Sequence, residues 1–239
     1  MARRKPASTH GLCVVDKPAG VTSHDVVGML RRRFHERQVG HAGTLDPDAT
    51  GVLVVAVGMT TKLLRFIEKT EKRYTGEVVL GSETTTLDDS GDVTATYDMS
   101  AVTLADAHRV AAEHLTGNIE QIPPMVSAIK KDGVPLYKMA RKGKTIEREP
   151  RLIHLYEFKL KDYEPPKASF VLRCTKGTYV RTLASDIGDG LGCGAHLSDL
   201  RRTESGLLSV KDAMKLDDLL TVPREELGGY VMTVSRYRA

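Results

Sequence analysis

Tryptophan is absent from this 239-residue chain, and Tyr and Phe number only eight and four. A protein that binds single-stranded nucleic acid by stacking one base after another needs a larger supply of aromatic rings. That class of protein is therefore disfavoured. A protein that holds one or two bases in a pocket is still compatible with this composition.

Cysteine is nearly as scarce, because the chain has only Cys13, Cys174 and Cys193, and no two of them form a C-x-x-C pair. A zinc site or a framework of disulfides is therefore not expected. No apolar run approaches the ~20 residues that a membrane-spanning helix needs. The first ten residues, MARRKPASTH, are basic but lack the apolar core of a signal peptide. Together these absences predict a cytoplasmic protein with buried, reduced thiols.

The formal net charge of +4 is too small to indicate nucleic acid binding by itself, but the basic residues are unevenly distributed. The segment 130–151 holds eight basic residues against three acidic ones. A surface of this charge suits the phosphates of RNA, although a solvated charged loop gives the same pattern. The basic residues are Lys130, Lys131, Lys138, Arg141, Lys142, Lys144, Arg148 and Arg151.

The most informative stretch is GHAGTLDPDATGVL, from Gly40 to Leu53, which runs into the apolar, β-branched sequence of a buried strand at 52–57. Pro47 fixes its own φ angle and disfavours helical geometry at Asp46. Asp46 therefore lies on a stiff, non-helical segment next to a core strand, a common position for active-site loops. An isolated Asp-Pro pair is also typical of an ordinary turn, so these residues alone leave both interpretations open.

This stretch resembles the catalytic motif of the tRNA pseudouridine-55 synthases, the bacterial TruB-type family. Four other segments resemble family segments in the family order, so that the resemblance covers roughly residues 11–220. Several linked motifs make the resemblance far more specific than any one of them. The four segments are GLCVVDKPAGVTSHDVV (Gly11–Val27), KRYTGEVVLG (Lys72–Gly81), PPMVSAIKKDGVPLYKMARKG (Pro123–Gly143) and GTYVRTLASDIGDGLGCGAHLSDLRRT (Gly177–Thr203).

The resemblance implies isomerisation of uridine to pseudouridine in the T-arm loop of tRNA, at position 55, with no cofactor and no metal. It assigns the role of catalytic carboxylate to Asp46, which a uridine flipped out of its stack would reach. An enclosed carboxylate needs a nearby cation to stay ionised, and the resemblance at TYVRT gives that role to Arg181. Three roles for Asp46 are compatible with this: attack on C6 of the base, attack on C1′ of the ribose, or removal of a ribose proton.

Further residues match family positions that contact the substrate. Tyr74, in KRYTG, matches a tyrosine that packs on the flipped base and assists proton transfer. His41 matches the histidine that holds the displaced nucleotides. Tyr179 matches a second substrate-contacting tyrosine, and Leu200 matches an apolar wall of the uracil pocket. The DKPAG segment at 16–20 resembles the first family motif, and we expect it to support the pocket rather than to react.

The resemblance also predicts a domain organisation. It places a catalytic domain at 11–220, within which 122–150 form a basic RNA-binding arm. Residues 1–10 are expected to be a flexible basic N-terminus, and 221–239 a short C-terminal tail without the PUA-type domain into which relatives usually continue. The expected partner is the T-arm stem-loop of tRNA, bound by a monomer without a membrane or a small-molecule cofactor. The RNA-binding residues expected in the arm are Lys130, Lys131, Arg141 and Lys142.

Local patterns predict an α+β fold. Capping boxes at Thr22–Asp25 and Thr103–Asp106 predict two helices, the second ending at Leu115 with Gly117 as its stop signal. The polar, acidic segment 82–92 is predicted to be a loop. The irregular alternation of elements favours a mixed, mostly antiparallel sheet with packed helices. The resemblance implies that this is the pseudouridine synthase fold, with the active-site cleft across the sheet. Further strands are expected at 74–80, 152–160, 168–174 and 197–201, and short helices at 61–67, 136–142, 179–187 and 216–220.

Other features point to different functions. GKT at 143–145 suggests a phosphate loop, but the position that requires glycine five residues before it is Lys138. Gly190, Gly192 and Ala195 fit a dinucleotide-binding pattern, but they follow a helical pattern instead of a strand. The main alternative is an RNA-binding or tRNA-folding helper on the same scaffold. A complete set of family catalytic residues argues against a purely binding protein.

Overall fold

The computed structural model describes residues 9–131, 133–140 and 142–237. The strands in these residues are β1 (Gly11–Lys17), β2 (Val39–Ala42), β3 (Thr50–Val57), β4 (Lys72–Leu80), β5 (Ser82–Thr84), β6 (Val93–Thr96), β7 (Gly117–Gln121), β8 (Lys130–Lys131), β9 (Val134–Pro135), β10 (Arg151–Glu164), β11 (Lys167–Cys174), β12 (Ala195–Ser205), β13 (Leu208–Ser209) and β14 (Met214–Lys215). The α-helices are α1 (Ser23–Phe34), α2 (Leu64–Ile67), α3 (Leu104–His114), α4 (Leu136–Ala140), α5 (Val180–Leu191), α6 (Leu216–Thr221) and α7 (Val234–Tyr237). Short 3₁₀ helices lie at Gly58–Leu63, Val210–Asp212 and Leu227–Tyr230.

The described parts of Met1–Tyr74 and Leu200–Ala239 form one compact unit. Its strands follow the order β14-β1-β3-β12, with β2 paired to β3 and β13 paired to β12. β3 is antiparallel to β1 and β2 but parallel to β12, and β14 is parallel to β1. The pairing in this unit is therefore mixed, as the sequence predicted.

Strand β3 is the centre of this unit because its apolar run is shielded on both faces. Every residue from Val52 to Val57 is inaccessible to solvent. Side chains of Leu53, Val55 and Val57 pack with the buried faces of α1 and α6. Residues on the opposite face of β3 pack with Ile67 and Leu208. The predicted buried strand is confirmed, and the loop that precedes it is carried on a rigid element.

The second unit comprises Thr75–Asp199 and has the strand order β4-β11-β10-β7. β10 is antiparallel to both β11 and β7. Two further antiparallel pairs, β5–β6 and β8–β9, are separate from this sheet, and α3 packs against β10 and α5. In the described part of the chain, no helix is long and apolar enough to span a membrane.

Both predicted capping boxes are present. The Thr22 hydroxyl accepts a hydrogen bond from the Asp25 amide at 3.0 Å, and the Asp25 carboxylate accepts one from the Thr22 amide at 3.0 Å. Thr103 and Asp106 make the same reciprocal pair at 3.2 Å. These bonds satisfy amide groups that a helix start otherwise leaves unpaired, so short sequence patterns were enough to locate both helix starts.

Three local predictions were wrong. The segment 82–92 is not wholly a loop, because β5 lies within it and pairs with β6. Gly117 does not stop α3, which ends at His114, and instead begins β7 with a φ angle of +74°. Helix α5 continues past Ile187 to Leu191, although glycines at 188 and 190 disfavour a helix. Packing explains the glycine at 188, because a Cβ there would collide with the backbone of Ala195.

Candidate active site

The Gly40–Leu53 stretch forms the end of β2, an irregular loop and the beginning of β3. Gly43 and Gly51 have φ angles of +83° and +97°, a left-handed conformation that other residues rarely adopt. A Cβ at Gly51 would also collide with the backbone of Arg202. Asp46 lies between these glycines and is half-buried. It is outside any helix, as predicted.

The chain is fixed immediately before Asp46 by a serine from α1. The Ser23 hydroxyl accepts a hydrogen bond from the Leu45 amide at 2.8 Å and donates one to the Leu45 carbonyl oxygen at 2.9 Å. Both side chains are buried, Ser23 at 1% exposed and Leu45 at 3%. Both backbone groups of Leu45 are therefore satisfied by one side chain, which leaves this residue little freedom to move.

The chain is fixed immediately after Asp46 by a lysine from the DKPAG segment. The fully buried Lys17 ammonium donates to the carbonyl oxygens of Pro18, Val21 and Pro47 at 2.7–2.8 Å. The Gly20 amide also donates to the Pro47 carbonyl oxygen, at 3.0 Å. All three ammonium protons are thus used inside the fold. That this segment supports the pocket rather than reacts stays a prediction.

The charge of Lys17 also faces the carboxylates of the loop. Burial lowers the pKa of Lys17 from 10.5 to about 8, against the opposing influence of Asp48 and Asp46. At neutral pH the ammonium is therefore still charged, and its field favours the ionised form of a carboxylate nearby. This places one fixed positive charge close to Asp46 within the same unit.

His41 lies in β2 near a second buried cation, Arg202. Arg202 donates from Nε to the Val52 carbonyl oxygen at 2.7 Å and from Nη2 to the Gly43 carbonyl oxygen at 3.1 Å. Burial, and then the charge of Arg202, lower the pKa of His41 below its usual 6.5. His41 is therefore neutral at pH 7, and its buried Nδ1 has no hydrogen-bond partner among the described residues.

Tyr74 and Leu200 belong to the same unit as Asp46. Tyr74 lies in β4 and Leu200 in β12, and each is only 9% exposed. Tyr74 also has an interaction within the protein. The predicted contact of these two side chains with a uracil ring stays a prediction.

Arg181 belongs to the second unit, where it is buried near the start of α5. Its Nη1 lies 3.1 Å from the Asp88 carboxylate and donates to the Thr86 carbonyl oxygen at 3.1 Å. Its Nη2 donates to the Val126 carbonyl oxygen at 2.9 Å. The guanidinium is thus held in a defined orientation by two segments, the turn with Thr86 and Asp88 and the segment with Val126, and its predicted pairing with Asp46 stays a prediction.

Tyr179 is the residue that precedes α5, and its backbone is held by a buried glutamine. Gln121 accepts from the Tyr179 amide at 2.7 Å and donates to the Tyr179 carbonyl oxygen at 3.1 Å. Gln121 is only 3% exposed, so its amide group serves this contact and is not available to solvent. The Tyr179 ring itself is half-buried.

The predicted RNA-binding arm contains a two-stranded hairpin, β8–β9, followed by α4. Lys130, Lys131 and Lys142 are exposed, and Arg141 lies outside the described residues. Their contact with RNA stays a prediction. Lys131 donates to the Glu147 carbonyl oxygen at 3.4 Å. A cavity of about 300 Å³ beside the hairpin is lined by charged side chains and by apolar ones that include Leu136.

Sequence reasoning missed four residues that hold the predicted ones. Ser23, Gln121 and Arg202 act on backbone groups of residues distant in sequence, and no local pattern marks such contacts. Asp88 was overlooked because its segment was predicted to be a plain polar loop. The described residues contain no group of three or more His, Cys, Asp or Glu side chains arranged to hold a metal ion.

Comparison with known proteins gives matches over most of the chain. Residues 31–180 match the model of the TruB family pseudouridylate synthase N-terminal domain, and residues 181–232 match that of the tRNA pseudouridylate synthase B C-terminal domain. The tRNA pseudouridine synthase B of Syntrophotalea carbinolica is 47% identical over 228 residues, which are 95% of this chain and 74% of that protein. The protein of the same name from Opitutus terrae is 47% identical over 217 residues, which are 91% and 90% of the two chains.

Solved structures show the same fold. A chain in the crystal structure of a Cbf5-Nop10-Gar1 complex is 28% identical, with a TM-score of 0.73, over 95% of this chain and 60% of that one. A chain in the structure of an H/ACA RNP bound to a substrate RNA containing 2′-deoxyuridine is 27% identical, with a TM-score of 0.65. That match covers 88% of this chain and 52% of the other, so this chain spans little more than half the length of these solved relatives.

Proposed function

Because the chain belongs to the TruB family of pseudouridylate synthases, which are isomerases, we propose that it converts uridine to pseudouridine in tRNA, at position 55 of the T-arm loop. Asp46 is the catalytic carboxylate in this proposal. The observation that carries it is the fixation of Asp46 from both sides, through Ser23 on Leu45 and through Lys17 on Pro47. A side chain that reacts must be held in place by neighbours that do not.

The reaction needs one well-placed carboxylate and no external reactant. The bond from C1′ to N1 of uracil breaks, a bond from C1′ to C5 forms, the C5 proton leaves and N1 gains a proton. Asp46 is required in its charged form whether it attacks C6, attacks C1′ or removes a ribose proton. The ammonium of Lys17 supports that charged form, while its protons are bound to backbone carbonyl oxygens.

The target uridine must leave the stack of the T-loop before Asp46 can reach it. Unstacking costs a few kcal/mol, and contacts with the displaced nucleotides must offset that cost. His41 is suited to such a contact, since it is half-buried and its ring is neutral at pH 7. Tyr74 packs against the flipped base in this proposal, and Leu200 forms the apolar wall of its pocket.

In this proposal Arg181 and Tyr179 keep the roles that the family resemblance at TYVRT implies for them. The guanidinium of Arg181 supplies a permanent positive charge for Asp46, and a guanidinium can serve two carboxylates at once because it has five donors. Its hold on Asp88, Thr86 and Val126 restricts its orientation in advance of substrate binding. Tyr179 contacts the substrate with its ring, while Gln121 fixes its backbone.

The basic arm supplies affinity for the RNA backbone. The side chains of Lys130, Lys131 and Lys142 neutralise phosphates of the T-arm stem-loop, and Arg141 belongs to the same set. The catalytic domain spans residues 11–220 in this proposal, and the protein acts as a monomer in the cytoplasm.

Tritium release tests the catalytic assignment. A T-arm transcript labelled at C5 of uridine loses tritium to water when pseudouridine forms, and Asp46→Asn should abolish this release while tRNA binding is retained. The matched control is Asp48→Asn, an exposed carboxylate on the same loop, which should keep activity within a few-fold of the unaltered protein. Release by Asp46→Asn at the normal rate would remove Asp46 from its role.

The same assay tests the target position and the alternative function. A transcript with cytidine in place of uridine 55 should release no tritium. If the unaltered protein releases none from any transcript but still speeds tRNA folding, the RNA-folding helper is the better description.

A further inference from the structure

His196 lies in β12 with both ring nitrogens in contact with acceptors. It is 6% exposed, and its Nδ1 lies 3.0 Å from the carbonyl oxygen of Ser82. Its Nε2 lies 2.9 Å from Oδ1 of Asp89. A carboxylate oxygen only accepts hydrogen bonds, so Nε2 is the nitrogen that donates to Asp89. The Ser82 hydroxyl also lies 3.4 Å from Nδ1, and together these contacts orient the ring along a line from Ser82 to Asp89.

The segment that His196 holds has an unusual backbone. Leu87 has a φ angle of +63°, a conformation that a bulky residue adopts only when its surroundings enforce it. Its carbonyl oxygen accepts from the Leu197 amide at 3.0 Å, and the Leu197 carbonyl oxygen accepts from the Asp89 amide at 3.1 Å. The turn at 84–89 is therefore fastened to β12 by two backbone bonds and by the side chain of His196.

The same turn provides two hydrogen-bond acceptors for Arg181. The Thr86 carbonyl oxygen and the Asp88 carboxylate each lie 3.1 Å from Nη1 of Arg181. The other carboxylate oxygen of Asp88 accepts from the hydroxyls of Thr86 at 2.6 Å and Ser90 at 2.5 Å. The carboxylate thus has one oxygen for the guanidinium and one for its own turn, and its position depends on the conformation of that turn.

We propose that His196 is a positioning residue for Arg181. Through Asp89 it holds the strained turn at 84–89, and the turn in this conformation aims the Asp88 carboxylate and the Thr86 carbonyl oxygen at the guanidinium. The inference rests on the proposed function, because only there does the orientation of Arg181 affect a reaction. All the contacts that carry it lie within the second unit.

Two substitutions of similar size distinguish the contact of Nε2 with Asp89 from the contact of Nδ1 with Ser82. The amide nitrogen of Gln reaches the position of Nε2 and can still donate to Asp89, whereas that of Asn reaches only the position of Nδ1 and can donate to Ser82. We expect His196→Gln to keep near-normal turnover. We expect His196→Asn to lower kcat about 10- to 100-fold with little change in KM, as small misplacements of a reacting group do.

A double-mutant comparison shows whether His196 acts through the turn. In an Asp88→Asn background the carboxylate that the turn aims is already gone, so His196→Asn should reduce kcat little further. If the two substitutions multiply as independent effects, the proposal is wrong. It is equally wrong if His196→Asn and His196→Gln reduce kcat alike, since that outcome describes a residue needed only for packing.

Asp89→Ala provides the same test should the histidine variants not fold, because the Asp89 side chain is 59% exposed and its removal leaves the core intact. It should reproduce the decrease in kcat seen with His196→Asn, and normal kcat would contradict the proposal. Amide hydrogen exchange adds a readout that does not depend on activity. The amides of Leu87 and Asp89 should exchange about tenfold faster or more in Asp89→Ala than in the unaltered protein, and unchanged exchange would overturn the proposal even if the protein made no pseudouridine. Absence of pseudouridine from the unaltered protein would instead refute the proposed function.

Discussion

The Ser23 hydroxyl and the Leu45 backbone form a reciprocal pair of hydrogen bonds, at 2.8 and 2.9 Å. One side chain at the first residue of α1 thereby fixes the residue next to Asp46. The pair is buried, so neither water nor another side chain can replace the hydroxyl without rearrangement.

Ser23→Ala should reduce both stability and turnover. The buried amide and carbonyl of Leu45 lose their partner, which costs about 1–3 kcal/mol in the free energy of unfolding. We expect kcat to fall about tenfold or more, because Asp46 is no longer held on one side. Thr22→Ala is the control: it removes the cap of the same helix, costs about 1 kcal/mol, and should leave kcat unchanged. Turnover gives kcat and urea unfolding gives the stability of each variant. An equal fall of kcat in both variants would show that the loss of stability alone is responsible.

Lys17 should give the reaction a pH dependence on its alkaline side. Since burial lowers the pKa of Lys17 to about 8, the group is an ammonium below that pH and a neutral amine above it. A neutral amine has two protons for three carbonyl oxygens, so it can no longer donate to all of Pro18, Val21 and Pro47. We expect kcat to decline as the pH rises through about 8. The profile of Lys17→Met should lack this step and lie lower throughout, and an identical step in that variant would assign it to another group.

Neutralising the arm should weaken tRNA binding in a salt-dependent way. Replacing Lys130, Lys131 and Lys142 with Gln removes three positive charges, and for each phosphate that is no longer neutralised the slope of log affinity against log salt should fall by about 0.7–0.9. The control makes the same charge change elsewhere, with Gln at the exposed residues Lys161, Lys176 and Lys211. Filter binding between about 50 and 200 mM salt measures both. The same slope in both triple variants would place the RNA contacts outside the arm.

Asp186 should destabilise the protein above pH 6. Burial, with a smaller contribution from Asp189, raises the pKa of Asp186 from 3.8 to about 6. The folded state therefore holds this proton more tightly than the unfolded state, so the free energy of unfolding falls as the pH rises from about 4 to about 6. Asp186→Asn removes that dependence and should stabilise the protein by about 1–2 kcal/mol at a pH of about 7.5, after allowance for solvent screening. Urea unfolding should show the gain shrinking towards pH 4, and a gain that is constant with pH would point to another cause.

Much of the fold could be predicted because the relevant signals are local. The capping boxes of α1 and α3 involve residues three apart, and the apolar run of β3 is sufficient to mark a buried strand. The strand β5 was missed because its three residues are polar, and its pairing with β6 depends on contacts across the turn between them. The glycines of α5 led to a predicted helix that was too short. They reflect the close approach of Ala195 to Gly188 rather than the end of the helix.

The site, too, has a part that could be predicted from the sequence and a part that could not. Resemblance was enough to name Asp46 and His41, and the structure supplies what resemblance does not: the neutral ring of His41 and the supports on either side of Asp46. Those supports depend on Ser23 and Lys17, which are separated by 22 and 30 residues from the backbone groups that they bind. Pairing over such a separation is a property of the folded chain.

The two supports of Asp46 limit how far the motif can be moved between proteins. A graft of Gly40–Leu53 into another scaffold would carry the aspartate without the hydroxyl and the ammonium that aim it. A transplant would have to extend back to Lys17, and so bring the last residue of β1 and the whole of α1 with it. To keep Asp46 fixed, a transplanted segment must therefore contain the end of β1, the helix α1 and the loop together. The loop alone would give an ordinary Asp-Pro turn.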